Sequence, residues 1–157
     1  MSEFETSAAV DIIVEERASS ELPEAFNDWA QVQLEFVTRG FCPLCNGATE
    51  PVVDETPLED AAVDELASAR FECDRCGQVV QSFVGTTLLF SPSVVAFHHN
   101  HGIDLSSTPM WELEWLFQPH TTRLEDGYKV RIHLDDEVLV VETDESLSVR
   151  NSRREPS

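Results

Sequence analysis

The clearest hydrophobic pattern in the chain is a helical stripe between residues 21 and 40. Its apolar members recur every three or four positions, as on one face of a helix: Leu22, Phe26, Trp29, Val32 and Phe36. Ser20 can cap this helix, Pro23 suits its first turn, and Gly40 can end it. The pattern predicts an amphipathic helix over 21–40 that packs on its own domain or pairs with a second copy. The residues before it, 1–20, are predicted to form a flexible acidic arm.

The second half of the chain changes to short patterns of period two. Pro92 at a helix start and Gly102 at a helix end still predict one short helix between them. The segment WELEWLF, residues 111–117, alternates apolar side chains with glutamates, which favours a strand. Apolar residues alternate again from Tyr128 to Leu134, and acidic turns divide this part of the chain into an antiparallel meander. The turns are predicted at Asp126-Gly127, Asp135-Asp136 and Asp144-Glu145.

The four cysteines form two Cys-x-x-Cys pairs: Cys42 with Cys45, and Cys73 with Cys76. Each pair is followed by a residue that tolerates positive φ, Asn46 or Gly77, as in a metal knuckle whose backbone N–H groups point at sulfur. Four thiolates are the tetrahedral set that a structural Zn²⁺ favours, and they leave no open coordination position. The segment 46–72 exceeds the roughly 15–20 residues typical between such pairs, so a longer first hairpin or an inserted element is expected, either a short acidic helix beginning near Thr56 or an ordered loop. Redox dithiols and an iron centre are the alternatives.

These elements predict an α+β fold with an N-terminal helix, a Cys₄ zinc ribbon, a short helix and an antiparallel β-meander. In chain order, the arm and helix are followed by the zinc ribbon over 41–84 and by the helix plus antiparallel sheet over 85–150. The polar end, residues 151–157, is predicted to be a solvated tail.

The charge balance is strongly acidic, with 30 Asp and Glu against 10 Lys and Arg and a net charge of −20. The acids are spread along the chain and Lys129 is the single lysine. This is typical of a protein from a salt-loaded cytoplasm, and a merely acidic mesophilic protein is the alternative. The charge disfavours binding to a phosphate backbone. Neither a targeting segment nor an apolar run of about 20 residues is visible, so a cytoplasmic protein without membrane contact is expected.

One histidine cluster and one glutamate pair are the other candidates for chemistry. On a helix His98 and His101 share a face, and His99 lies between them, but no carboxylate lies at a neighbouring turn of that face. Capping and surface roles are therefore the simpler interpretation. Glu112 and Glu114 fit the solvated face of a strand better than an acid–base pair. Because every cysteine is used as a ligand and no phosphate loop is present, a non-enzymatic function is predicted.

Residues 76–103 contain no Asp, Glu, Lys or Arg, in a chain of which these residues make up 25%. A run without charge in so acidic a chain is expected to be covered. Burial in the protein's own core is the simpler interpretation. The alternative is a surface for a protein partner or for self-association between Phe83 and His99.

Four stretches, in this order along the chain, resemble one known family: EAFNDWAQVQLEFVTRGFCPLCNG, FECDRCG, SVVAFHHNHGID and PMWELEW. They are similar to the C-terminal region of haloarchaeal ArsR-like winged-helix transcriptional regulators, and the resemblance runs from Leu22 to Val149. In that family a winged helix reads DNA, and the region seen here follows it as a zinc-containing accessory domain. The residues before Leu22 are too few and too acidic for a winged helix. The resemblance therefore implies metal binding at the four cysteines without DNA reading.

The resemblance also implies a function, namely a non-enzymatic, zinc-stabilised accessory module in transcription regulation. Such a module would act through protein contacts in a halophilic cytoplasm. The first alternative is a DNA-binding zinc ribbon, which needs a basic face, and the arginines available for it are Arg70, Arg75, Arg123 and Arg131. The second alternative is a metal sensor that uses the histidine cluster.

Overall fold

The computed structural model describes residues 10–54, 68–116 and 120–157, and it confirms the α+β fold class. The helices are α1 (residues 10–15), α2 (Leu22–Thr38) and α3 (Pro92–Asn100). Short 3₁₀ helices cover Ser19–Glu21, Gly85–Leu88, Met110–Glu112 and Glu114–Leu116. One antiparallel sheet has the order β1 (Thr49–Asp54), β2 (Ser68–Cys73), β3 (Val79–Phe83). The other has the order β4 (Thr121–Leu124), β5 (Gly127–Leu134), β6 (Glu137–Asp144), β7 (Val149–Pro156).

The chain divides into two compact units. Unit 1 consists of Met1–Glu50 and Phe71–Val80, and unit 2 of Pro51–Arg70 and Gln81–Ser157. Unit 1 contains α2 and all four cysteines, whereas unit 2 contains α3 and the four-stranded sheet.

Helix α2 has nearly the predicted limits. Pro23 lies in its first turn, and Gly40 adopts φ +89° directly after the C-cap residue Arg39. Glycine enters this left-handed region without steric cost, which is why the helix ends there. The cap prediction is wrong, because Ser20 lies inside the preceding 3₁₀ helix and Glu21 occupies the N-cap position.

The buried face of α2 differs from the predicted stripe. The buried residues of the helix include Leu34 and Val37, whereas the stripe residues Val32 and Phe36 are exposed by 48% and 42%. The stripe therefore does not pack fully on its own domain. The helix carries apolar residues on two faces, and periodicity alone did not decide which of them is covered.

The core of unit 2 lies on one face of the four-stranded sheet. The predicted alternation in β5 is confirmed, because Tyr128, Val130 and Ile132 are buried on that face. Helix α3 also has the predicted limits, with Pro92 as its first residue and Gly102, at φ +76°, after its end. The core cluster further includes Val84, Leu88, Val94, Phe97, Leu113, Trp115, Leu116, Leu139 and Val141.

The strand predicted for WELEWLF is wrong. Residues 110–116 form two consecutive 3₁₀ helices, and Phe117 lies outside the described residues. Trp111 is 55% exposed, while Trp115 and Leu116 are both buried. Two adjacent buried side chains cannot lie on one face of a strand, so the tertiary packing overrides the alternation.

The tail predicted over 151–157 is corrected, since Val149–Pro156 forms strand β7. It pairs with β6 from Thr143 opposite Val149 to Glu137 opposite Pro156. Most β7 side chains are exposed, which explains why the sequence resembles a tail. Backbone pairing with β6 holds this segment in place. Ion pairs on the outer face of the sheet, such as Arg131 with Glu155, add to it.

The remaining sequence predictions fall partly outside the described residues. The acidic helix near Thr56 lies within 55–67, and of the predicted arm only residues from 10 onward are described. Residues 10–15 of that arm are helical, and Ile13 is buried. Within the uncharged run, Val94 and Phe97 are fully buried in the core of unit 2, whereas Val79 and Val95 are each 42% exposed, so burial accounts for only part of it.

Candidate metal centre

The first cysteine pair lies in a tight loop at the end of α2. The N–H of Cys42 donates to the carbonyl of Gly47 at 2.8 Å, and the N–H of Asn46 donates to the carbonyl of Cys42 at 3.0 Å. Asn46 adopts φ 63°, as expected for the residue after a second knuckle cysteine. These bonds turn the chain back so that the Cys42 and Cys45 side chains point to the same side.

The second pair repeats this geometry. The N–H of Cys73 donates to the carbonyl of Gln78 at 2.9 Å, and the N–H of Gly77 donates to the carbonyl of Cys73 at 3.1 Å. Gly77 adopts φ 79°. The two loops thus have matching hydrogen bonds at matching positions, and the positive φ predicted from Asn46 and Gly77 is confirmed.

The structure brings the four predicted ligands together. All four Sγ atoms lie within 4.8 Å of one another. Two of the separations are 3.6 Å from Cys42 to Cys76 and 3.4 Å from Cys45 to Cys73, and both join one loop to the other. Sulfurs around a tetrahedral metal at about 2.3 Å lie about 3.8 Å apart, a distance that falls within the range of this cluster.

Backbone N–H groups point at the sulfurs, as the loop pattern predicted. Gly47 donates to Cys45 Sγ at 3.3 Å, and Cys76 donates to Cys73 Sγ at 3.5 Å. Such donors favour the thiolate over the thiol. The Cys76 N–H is the main reason why the pKa of Cys73 falls to about 6.

Two other sulfurs show the opposite shift because like groups surround them. The Gly47 N–H acts to lower the pKa of Cys45, but burial and the sulfurs of Cys73 and Cys76 outweigh it, so that pKa is raised. The pKa of Cys76 is likewise raised, against the N–H of Gln78. Four thiolates at this spacing need a cation among them to be ionised together. The donor set therefore fits a bound metal ion.

Gly47 is a residue of the site that sequence reasoning did not single out. A Cβ at this position would lie 3.1 Å from Cys45 Sγ and 3.2 Å from Cys73 Sγ. A side chain at this position would therefore require the sulfurs to shift by a few tenths of an ångström. The Cys-x-x-Cys-x-Gly pattern in the sequence was the available signal for this packing.

The centre is closed in the sense that all four donors come from the protein. Among the residues that the structure describes, these cysteines are the one group of three or more His, Cys, Asp or Glu side chains positioned to hold a metal. A four-thiolate set suits Zn²⁺ or iron and provides no vacant position for a substrate. The arrangement can therefore hold a fold together.

His98 serves the core of unit 2. It is fully buried, and its Nε2 accepts from the indole N–H of Trp115 at 3.1 Å. Because indole only donates, Nδ1 carries the proton and donates to the carbonyl of Val94 at 2.7 Å. Burial lowers the pKa of His98, which keeps the ring neutral. Both ring nitrogens are therefore occupied by structural hydrogen bonds.

His101 joins the end of α3 to the turn between β5 and β6. Its Nδ1 lies 3.0 Å from Asp135 Oδ2 and its Nε2 lies 3.1 Å from Glu137 Oε1. Two carboxylates accept from both nitrogens only when the ring is protonated. The bond to Asp135, assisted by Glu137, raises the pKa of His101. The histidines thus make separate structural contacts, while His99 is exposed.

A His101→Gln variant is expected to lose stability in a pH-dependent way. Since the pKa is higher in the folded than in the unfolded state, the stabilisation is complete below the ordinary value of 6.5 and is lost as the pH rises through the folded value. Thermal denaturation of both proteins should show a larger difference at about pH 6 than at about pH 9. His99→Gln, which removes an exposed imidazole from the same helix, is the matched control, and the ion-pair account requires a larger pH-dependent loss at His101 than at His99. An equal loss for His101→Gln at both pH values would contradict the ion-pair account.

The comparisons with known proteins bear on the family alone. Searches of curated proteins and of solved structures found no match. Within the described part of the chain, none of the helices is long and apolar enough to cross a membrane. Residues 5–149, most of the chain, match one protein family. The chain belongs to the family described as Domain of unknown function (DUF7351).

Proposed function

We propose that the chain is a non-enzymatic, zinc-stabilised accessory module in transcription regulation that acts through protein contacts. The observation that carries this proposal is the closed group of four cysteine sulfurs within 4.8 Å of one another. Zinc is favoured over iron because a tetrahedral thiolate set without redox partners is the usual structural zinc site. The resemblance to the accessory region of ArsR-like regulators supports the regulatory assignment.

The setting we propose is a reducing, salt-loaded cytoplasm. The four cysteines are free thiols, which metal binding requires and which a reducing compartment maintains. The net charge of −20 with a single lysine suits high ionic strength, where acidic surfaces repel one another little.

The positions of the arginines argue against the rival DNA-binding zinc ribbon. Arg123 pairs with Glu145 at 3.5 Å, and Arg131 pairs with Glu155 at 3.3 Å. Both arginines lie on the four-stranded sheet of unit 2, whereas Arg75 belongs to the second cysteine loop of unit 1. The two candidate arginines on the sheet are therefore partly neutralised by neighbouring acids.

Duplex DNA is accordingly expected to bind no better than nonspecifically. Fluorescence anisotropy with duplexes of unrelated sequence should give weak, equal binding that disappears as salt is added, since the chain offers few unneutralised cations to phosphate. Tight and sequence-selective retention of one duplex at multimolar KCl would contradict the proposed function in favour of the rival.

The proposed function is tested by cross-linking in cells that express the tagged chain, followed by mass spectrometry. We expect cross-links to a transcription factor or another component of the transcription machinery. The control is a Cys73→Ser chain, which should lose those cross-links together with its metal. Reproducible cross-links only to proteins of other processes would contradict the proposal.

A further inference from the structure

A groove in unit 1 lies between α1 and the first half of α2. Its volume is about 450 Å³. Its apolar lining consists of Ile13 from α1 and Ala25, Trp29 and Val32 from α2. Ile13 is almost fully buried, whereas Val32 is 48% exposed, so the lining runs from a covered floor to an open edge.

The open edge continues along α2 beyond the groove. Trp29, Val32 and Phe36 are three and four positions apart and therefore lie on one side of the helix. Phe36 is 42% exposed. The helix uses another face, with Leu34 and Val37, for burial. This apolar face is thus additional to the face that holds α2 in place, and contiguous exposed apolar surface of this kind marks an interaction site.

Acidic side chains border the groove. Glu21, Glu24 and Asp28 line it together with one base, Arg17. Glu24 and Asp28 are four residues apart, so they follow one edge of the apolar face. Among the described residues neither of these two carboxylates has an ion-pair partner. The groove therefore combines an apolar lining with negative charge at one edge.

We infer that this groove binds a helix of a partner protein that carries apolar side chains flanked by Lys or Arg. Apolar side chains of the partner helix would fill the groove and pack against Phe36, while its Lys or Arg side chains would pair with Glu24 and Asp28. A second copy of the chain fits poorly, because its own α2 carries acids and no Lys or Arg that could meet Glu24 and Asp28 at contact distance. A nucleic acid likewise presents phosphates and no cationic group to these carboxylates. This inference rests on the proposed protein-contact function and identifies its surface.

The first part of the test uses two labelled peptides and the full, zinc-loaded chain. One peptide is an amphipathic helix of Leu and Lys, and the other replaces every Lys by Glu. Anisotropy titrations should show at least about tenfold tighter binding of the Lys peptide. Glu24→Gln combined with Asp28→Asn should weaken that binding and reduce its dependence on salt. Equal binding of both peptides, or of neither, would overturn the inference.

The second part separates the groove from attraction to net charge. The double variant Val32→Ser, Phe36→Ser leaves the charge of the chain unchanged. It should weaken binding of the Lys peptide by about tenfold or more. Val95→Ser is the matched control, because Val95 is 42% exposed on α3 and lies in the surface between Phe83 and His99 that the sequence suggested. It should bind like the wild type. Circular dichroism checks that all variants are folded.

Each other outcome has a defined meaning. Unchanged binding by the Val32→Ser, Phe36→Ser variant would mean attraction to charge alone, and the groove inference would be wrong. A loss of peptide binding in the Val95→Ser variant would place the contact in unit 2 and would also overturn the groove inference. A doubled mass in solution that the groove variant abolishes would identify a second copy as the occupant, against the inference. In the cross-linking experiment, a transcription partner cross-linked away from the groove would overturn the groove inference and leave the proposed function intact.

Discussion

A Cys73→Ser variant is expected to lose its metal and the folded state of unit 1. Cys73 is buried, lies 3.4 Å from Cys45 Sγ, and begins the second cysteine loop. A serine oxygen is a poor replacement for thiolate, and metal binding in small sites of this kind is coupled to folding. Elemental analysis should fall from one metal ion per chain to none, and amide exchange in unit 1 should lose its protection.

The matched control for this variant is Asp74→Asn. Asp74 is the next residue of the same loop, and its side chain is exposed. The change removes a charge without removing a ligand, so this variant should retain its metal and its exchange protection. A Cys73→Ser chain that keeps both the metal and the fold would mean that the four sulfurs are not one functional centre.

A Gly127→Ala variant is expected to lower the free energy of unfolding by about 3 kcal/mol or more, through overpacking against rigid backbone. Gly127 begins β5 and pairs with Asp144 of β6. A Cβ there would overlap the carbonyl oxygen of Thr143 and lie 2.8 Å from its carbonyl carbon and 3.0 Å from Asp144 Cα. Since all three atoms belong to the backbone of the central strand pair, relief requires the pair to move. Urea denaturation followed by circular dichroism measures the loss.

Gly85→Ala is the matched control for this prediction. A Cβ at Gly85 would lie 3.6 Å from the Trp115 ring, which is an ordinary packing distance. We expect a change within about 1 kcal/mol, with stabilisation favoured because alanine restricts the unfolded chain. If Gly127→Ala were no more destabilising than Gly85→Ala, the register of β5 against β6 would be wrong.

Local features of the fold were predictable from the sequence. Asn46 and Gly77 are where the cysteine loops need positive φ, and Pro92 and Gly102 lie at the two ends of α3. Each of these depends on the backbone preferences of one residue and on its immediate neighbours. The apolar alternation in β5 was also predictable, because one face of the strand is buried and the other is not.

The features that were missed depend on partners far along the chain. Trp115 is buried in the core of unit 2 with its N–H donating to His98, and this packing overrides an alternating pattern. His101 contacts Asp135 and Glu137, which lie more than thirty positions away in the sequence. Sequence periodicity reports which residues share a face and says nothing about which distant group covers it.

The charged strand β7 and the metal site show the same limit. Arg153 and its neighbours in β7 resemble a solvated tail, yet pairing with β6 and the bond to Glu155 order them. At the cysteines the ligand set could be proposed from spacing, but the cross-loop contacts and the tight fit at Gly47 could not. Those contacts exist only once the segment between the pairs has brought the loops together.

The most direct test of the zinc-centred account is the metal itself. X-ray absorption at the metal edge, on the reduced, folded and full-length chain, reports both the element and its ligands. The account predicts one zinc per chain with four sulfur ligands at about 2.3 Å. A folded, reduced chain that carries no metal, or a metal bound by nitrogen or oxygen ligands, would contradict it.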